Sequence, residues 1–316
     1  MKTIFVINPK AGKGKKVKEF AAAVRETSKR LGIPAEIYFT KAAGDATVFV
    51  EKTIRAFPRE EIRFYICGGD GTMNEAVNGL YQAKDAADPE KIAFGLIPIG
   101  SGNDFVKNFW NLPDAMNIER QLKAQPKDCD ILLYENQVNG EKRTGICCNM
   151  FNIGFDANVV DARDELNKSP LIAGSFAYLL GVMVTFIKKK GADLRIEADG
   201  ELIHDGPLLL NSIANGPFCG GGIKSNPTAK IDDGLMDVNV VKDVSRLYFL
   251  KLFPQYQKGT HMSMPGIDQV IHTTRCKVMK ITPKAEGARL CIDGEMTDAG
   301  EITIRMKEKA FRFLAP

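Results

Sequence analysis

The sequence predicts two domains of different construction, an α/β domain built on a parallel sheet over residues 1–128 and a mainly antiparallel β-sandwich over 129–307. Three observations carry this. Up to residue 128, short apolar runs alternate with segments whose apolar residues recur at helical spacing, the pattern of a parallel sheet covered on both faces. Three of those runs end in small-residue loops, and in open α/β sheets ligands bind outside the carboxyl ends of the strands. Beyond residue 128 the texture changes to repeated short strands between Gly and Asp turns, as in 131–134, 145–151, 194–198, 208–210 and 236–241.

In chain order, TIFVI at 3–7 reads as a strand, followed by a basic glycine turn, Asn8, Pro9, Lys10, Ala11 and Gly12. This turn lacks the G-x-x-x-x-G-K-[ST] order of a P-loop, because no hydroxyl residue follows a Gly-Lys pair. Asn8 and Gly12 would instead frame a nucleotide with amide and backbone contacts. Residues 15–31 space Val17, Phe20, Ala21, Val24 and Leu31 helically and stop at Gly32. The strand 35–39 ends at Thr40, and Gly44 with Asp45 supplies a turn and cap for a helix over 46–57.

IRFYIC at 62–67 is a buried strand running into Gly68, Gly69, Asp70, Gly71 and Thr72, with a helix expected from Met73, Asn74 and Glu75 onward. The glycines let backbone N–H groups approach a phosphate, and the helix N-terminus adds partial positive charge. A carboxylate among such amides would repel phosphate, so Asp70 is expected to organise magnesium and its waters. Standing alone, GGDGT also describes a glycine-rich turn with an Asp cap. The strand 92–98 then leads to Gly100, Ser101, Gly102, Asn103, Asp104 and Phe105. A linker is expected at 125–128.

Composition excludes several classes. A chain of 316 residues, 44% hydrophobic and 26% charged, can bury two cores, and a net charge of +4 is too mild to indicate nucleic-acid binding. Seven cysteines without a CxxC pair argue against a disulfide framework or zinc site, and fit a reducing cytoplasm. Three histidines, His204, His261 and His272, show no triad or ligand spacing. No apolar leader precedes the first strand. Residues 171–187, LIAGSFAYLLGVMVTFI, are closed by Lys188, Lys189 and Lys190; they read as a buried or surface-seeking helix rather than a span, with a basic end suited to an anionic membrane surface.

In the second domain, Asp293 and Glu295 of CIDGE lie two residues apart, which in a strand places them on one face. Phosphoryl transfer to a hydroxyl needs a proton acceptor, for which a carboxylate suffices because the transition state is loose. Glu295 is the expected base and Asp293 its closest rival. KIDDGL at 230–235 is either a plain hairpin turn or an oxygen-rich cation site.

NPKAG at 8–12, GGDGTMNE at 68–75 and GSGNDF at 100–105, continued by NIGFDA, KIDDGLMDV and CIDGE, resemble the diacylglycerol kinase catalytic-domain family of lipid kinases. The resemblance implies a Rossmann-like sheet of the NAD kinase and diacylglycerol kinase kind, with the tail 308–316 rejoining the first domain. It further implies ATP as phosphate donor, Mg2+, and a membrane lipid as acceptor, most readily diacylglycerol, on a peripherally membrane-associated cytoplasmic enzyme. Nucleotide contacts would come from residues 8–12, Thr40, residues 68–75 and Ser101. A structural magnesium would be held by Asp233 with the carbonyls of Lys230 and Leu235. A kinase of NAD or of another lipid, a silent carrier on the same fold, and a homodimer stay open at this stage.

Overall fold

A computed structural model of the chain describes residues 1–14, 17–86, 88–155 and 191–316, without the side chains of residues 13 and 14. These form two compact units, Met1–Ile131 with Glu308–Pro316, and Leu132–Lys307.

In the first unit, β1 (Lys2–Ile7), α1 (Val17–Arg30), β2 (Glu36–Phe39), α2 (Asp45–Ala56), β3 (Ile62–Gly68), α3 (Asp70–Gln82) and β4 (Ile92–Pro98) follow in the expected alternation. β3 pairs in parallel with both β1 and β4, and β1 with β2. β3 and β4 are nearly continuous runs of buried residues, as strands covered on both faces must be. Two short helices follow, α4 (Leu112–Ala115) and α5 (Ile118–Lys123). Fully buried Gln121 joins them to the sheet, its Nε2 donating to the carbonyls of Leu96 and Ala115 at 3.0 Å each.

The expected linker at 125–128 is instead the start of β5 (Gln125–Val138). The last residues of β15 (Glu301–Ala315) belong to the first unit, where Arg312 and Phe313 run parallel to Ala93 and Phe94 of β4. Phe311 and Phe313 are buried there, with Phe313 stacked on Phe109 at 4.8 Å and edge-on to Phe105 at 5.1 Å. Trp110 Nε1 donates to the Leu314 carbonyl at 3.0 Å.

The second unit is antiparallel throughout its described pairings. β6 (Glu141–Cys147) pairs with β5, while β9 (Glu201–Ala214) pairs with β7 (Met150–Gly154), β8 (Ala192–Ala198) and β10 (Met236–Lys242). β11 (Ile271–Cys276) extends from β10, β12 (Val278–Pro283) joins β8 to β15, and β13 (Arg289–Ile292) joins β7 to β14 (Glu295–Asp298). Phe151, Ile153, Ile196, Ile213, Val238 and Ile304 are among the residues of one continuous core.

The longest helix not expected from the sequence, among the described residues, is α6 (Arg246–Lys258), which Ser245 caps by accepting the Tyr248 N–H and Gly259 ends with φ 72°. Pro254 inside it hid the helical pattern. Residues 171–190, expected to meet a membrane, lie outside the described residues. Among the described residues no helix is long and apolar enough to cross a membrane.

Truncating Phe313, fully buried against the rings of Phe105 and Phe109, should remove roughly 3–5 kcal/mol of stability. We expect Phe313→Ala to show that loss in urea denaturation, and a loss below about 1 kcal/mol would mean that the C-terminal strand does not anchor this core.

Candidate active site

In the first unit three loops gather at the carboxyl edge of the parallel sheet. The loop after β1 is joined to the loop after β3 through Asn8, whose Nδ2 donates to Thr72 Oγ1 at 3.1 Å while its Oδ1 accepts the Lys10 N–H at 2.9 Å. The loops after β3 and β4 meet backbone to backbone: a Cβ on Gly100 would lie 2.5 Å from Gly69 Cα. No side chain larger than hydrogen fits at Gly100. Asn103 closes the third loop on itself with φ 54°, its Nδ2 donating to the Gly100 carbonyl at 2.9 Å and its Oδ1 accepting the Gly100 N–H at 3.2 Å.

The expected helix after GGDGT begins inside that motif, because Asp70, Gly71 and Thr72 form the first turn of α3. Its N-cap is Gly69, with no side-chain capping bond. A helix cannot satisfy its first-turn N–H groups internally, and here no N-cap side chain takes one of them. The Asp70 carboxylate faces the third loop, accepting the backbone N–H groups of Asp104 and Phe105 at 3.1 and 2.9 Å. Lys107 Nζ pairs with Asp104 at 2.7 Å and donates to the Gly102 carbonyl at 3.1 Å.

The remaining expected nucleotide residues take varied positions. Lys10, Gly12 and Ser101 are exposed, Pro9 and Ala11 half-buried, and Met73 buried. Thr40 is buried, and its N–H donates to the Ile7 carbonyl at 2.9 Å. The Asn74 side chain accepts Asn78 Nδ2 at 2.8 Å. Glu75 serves α2, accepting the Ala46 N–H at 3.3 Å on Oε2 and the Thr47 hydroxyl at 2.8 Å on its carbonyl.

The second unit corrects the reading of CIDGE. Asp293 and Glu295 do not share a strand face, because Asp293 (φ 46°) and Gly294 (φ 92°) form the two-residue turn between β13 and β14. Two positive φ values are what a type I′ hairpin demands, and Asp-Gly supplies them. The Asp293 carboxylate is gripped by the chain before β7: Oδ2 accepts the Cys148 N–H at 2.7 Å, and Oδ1 accepts the N–H groups of Asn149 and Met150 at 2.9 and 3.0 Å. The Cys147 thiol reaches the same Oδ1 at 3.1 Å, and burial followed by the Asp293 charge pushes that thiol's pKa well up. Glu295, the first residue of β14, is exposed. Its side chain carries no hydrogen bond or ion pair to another described residue.

The KIDDGL turn also differs from expectation. Asp233 is bound by the Arg275 guanidinium and accepts the Leu235 N–H at 3.2 Å. Arg275 Nε holds buried Asp237 at 3.0 Å, and the Thr228 hydroxyl donates to Asp237 Oδ1 at 2.7 Å. The carboxylate expected to face magnesium with the carbonyls of Lys230 and Leu235 thus faces a cation supplied by the chain. That donor set does not fit a divalent ion as it stands, and no group of three or more His, Cys, Asp or Glu residues is arranged to hold one among the described residues. Arg275 lies 42 positions from Asp233, so no local signal announced it.

Comparison with known proteins bears on all of these loops. Residues 2–134 match the diacylglycerol kinase catalytic domain, and residues 149–315 match the YegS C-terminal NAD kinase beta sandwich-like domain. The chain belongs to the diacylglycerol kinase catalytic-domain family. Among its members, the chain is 28% identical to a protein named diacylglycerol kinase from Bacillus subtilis (strain 168), over 92% of this chain and 88% of that one. It is likewise 28% identical to a protein named probable lipid kinase YegS-like from Pseudomonas fluorescens (strain Pf0-1), over 94% and 89%. The family fold extends to a crystal structure of a diacylglycerol kinase from Bacillus anthracis str. Sterne, with a TM-score of 0.68 at 20% identity over 100% of this chain and 97% of that one. It extends also to yeast NADH kinase complexed with NADH, with a TM-score of 0.50 at 11% identity over 100% and 84%.

Two variants test this geometry. Asp70→Asn should speed amide exchange at Asp104 and Phe105, since an amide group sets a donor against one of the two N–H groups now bound; unchanged protection would remove the Asp70 tie. Arg275→Met should cost about 1–3 kcal/mol, discounted because the guanidinium is 41% exposed. Chelation should leave the wild-type melting temperature unmoved, and a drop of several degrees on chelation would restore a metal to this turn.

Proposed function

We propose that the protein is a lipid kinase that transfers the γ-phosphate of ATP to a lipid hydroxyl, with diacylglycerol as acceptor and phosphatidic acid as product. The observation that carries this reading, beside family membership, is the uncapped first turn of α3 among three glycine-bearing loops. That turn offers backbone N–H groups and a helix dipole to the nucleotide phosphates, with contacts from Asn8 to Gly12, Thr40, residues 68–75 and Ser101. Asp70 holds the second and third loops in one arrangement, so the amides are set before the nucleotide arrives. Magnesium accompanies ATP and neutralises charge on the transferred group. Asp70 steadies that ion's waters in this reading.

The two carboxylates of CIDGE then divide their roles. Asp293 is committed to three amides and a thiol and shapes the hairpin. Glu295, exposed and without such partners, is the proton acceptor for the attacking hydroxyl. Thus Glu295→Gln should lower turnover about 100-fold or more at an unchanged melting temperature. Asp293→Asn should lower the melting temperature as well, because one amide donor of the turn loses its acceptor. The reverse pattern would exchange the two assignments. Labelled ATP offered with diacylglycerol, sphingosine, ceramide, phosphatidylglycerol and NAD tests the acceptor: phosphatidic acid as the main product is expected, and labelling of NAD alone would overturn the lipid reading.

A further inference from the structure

We infer that the outward face of α6 is the surface by which the protein docks on an anionic lipid bilayer, an assignment that rests on the lipid-kinase reading above. α6 is apolar on two faces. One is buried, with Phe249, Leu252 and Tyr256 in a core of the second unit. On the other, Leu247 is 82% and Leu250 58% exposed. At about 100° per residue, Leu250, Pro254 and Leu247 fall within one sector of roughly 60°. Arg246 borders that sector on one side and Lys251 and Lys258 on the other, and all three are exposed. The helix contains no acidic residue. Met262, 39% exposed, follows in the next turn of chain. The nearest exposed acids in the flanking segments are Asp243, ahead of the Ser245 cap, and Asp268.

Single exposed leucines need no explanation, but an apolar stripe edged by cations and free of acids is the pattern of a helix lying in a membrane interface. The occupant follows from the charges. A symmetric contact with a second copy would set Arg246, Lys251 and Lys258 against the same residues of its partner. Anionic headgroups would instead neutralise Lys251 and Lys258 while the leucines enter the acyl boundary. A lipid that stays in the bilayer also requires its enzyme to reach that boundary.

Sedimentation of the full chain with phosphatidylcholine vesicles, with and without phosphatidylglycerol, tests the assignment. Leu247→Asp with Leu250→Asp should weaken vesicle binding at least about tenfold at an unchanged melting temperature, since both side chains already face water. Lys251→Gln with Lys258→Gln should remove the preference for phosphatidylglycerol and flatten the salt dependence. Kinase activity on diacylglycerol in vesicles should fall in step, while activity on short-chain, monomeric diacylglycerol should hold. Unchanged vesicle binding in both variants would overturn the assignment, as would a shift from dimer to monomer with vesicle binding intact. The two readings fail separately: phosphorylation of no lipid by the wild type removes the kinase reading, whereas vesicle binding alone reports on α6.

Discussion

The Asp70 carboxylate is the interaction on which the first unit's site depends. A sheet edge delivers three loops to one place but does not fix their mutual arrangement, because loop backbone has no ladder to satisfy its polar groups. Asp70 supplies that order by accepting the Asp104 and Phe105 N–H groups. The constraint is extended by packing: Phe105, whose N–H it binds, lies edge-on to Phe313, and Gly69 and Gly100 allow the approach that brings donors and acceptor together. A residue type that would repel a phosphate if aimed at it is turned aside and used to tie the third loop to the start of α3.

The second unit treats its carboxylates by the same logic of partners. Asp293, Asp233 and Asp237 are each engaged by amides, a hydroxyl or a guanidinium, whereas Glu295 stands in solvent. Carboxylates satisfied inside the protein stabilise turns; one left to solvent keeps its lone pairs unengaged by the protein, as the proposed proton acceptor requires. The chemical division between Asp293 and Glu295 follows from the hairpin, since an Asp-Gly turn rotates the first of the two away from the face its neighbour occupies.

Much of the first unit was legible because its signals are local. Period-2 and continuous apolar runs gave β1, β3 and β4, and the small-residue loops marked their ends. GGDGT was read as a loop, although Asp70, Gly71 and Thr72 already turn as helix, since an Asp in the first helical turn reads the same as a turn aspartate. In the second unit the alternation gave strands but hid α6, whose caps at Ser245 and Gly259 were readable and whose Pro254 obscured them. The Asp-Gly hairpin was also readable at 293–294. Long-range partners left no trace in the sequence: the Asp293 grip joins residues 145 positions apart, and Arg275 reaches Asp233 across 42. Such contacts are made by the fold and are visible only in it.

The return of Glu308–Pro316 to the first unit has a consequence for the order of synthesis. A ribosome releases residues 1–131 long before the strand that flanks β4, and every residue of the second unit is translated in the interval. Until then Phe94 and Phe105 lack Phe311 and Phe313, and one edge of the parallel sheet lacks a neighbour. A chain stopped anywhere before residue 308 therefore carries an unfinished aromatic core and an open strand edge, the features chaperones and proteases recognise. The first unit is closed by residues made only after the whole of the second, which couples the completion of one to the synthesis of the other.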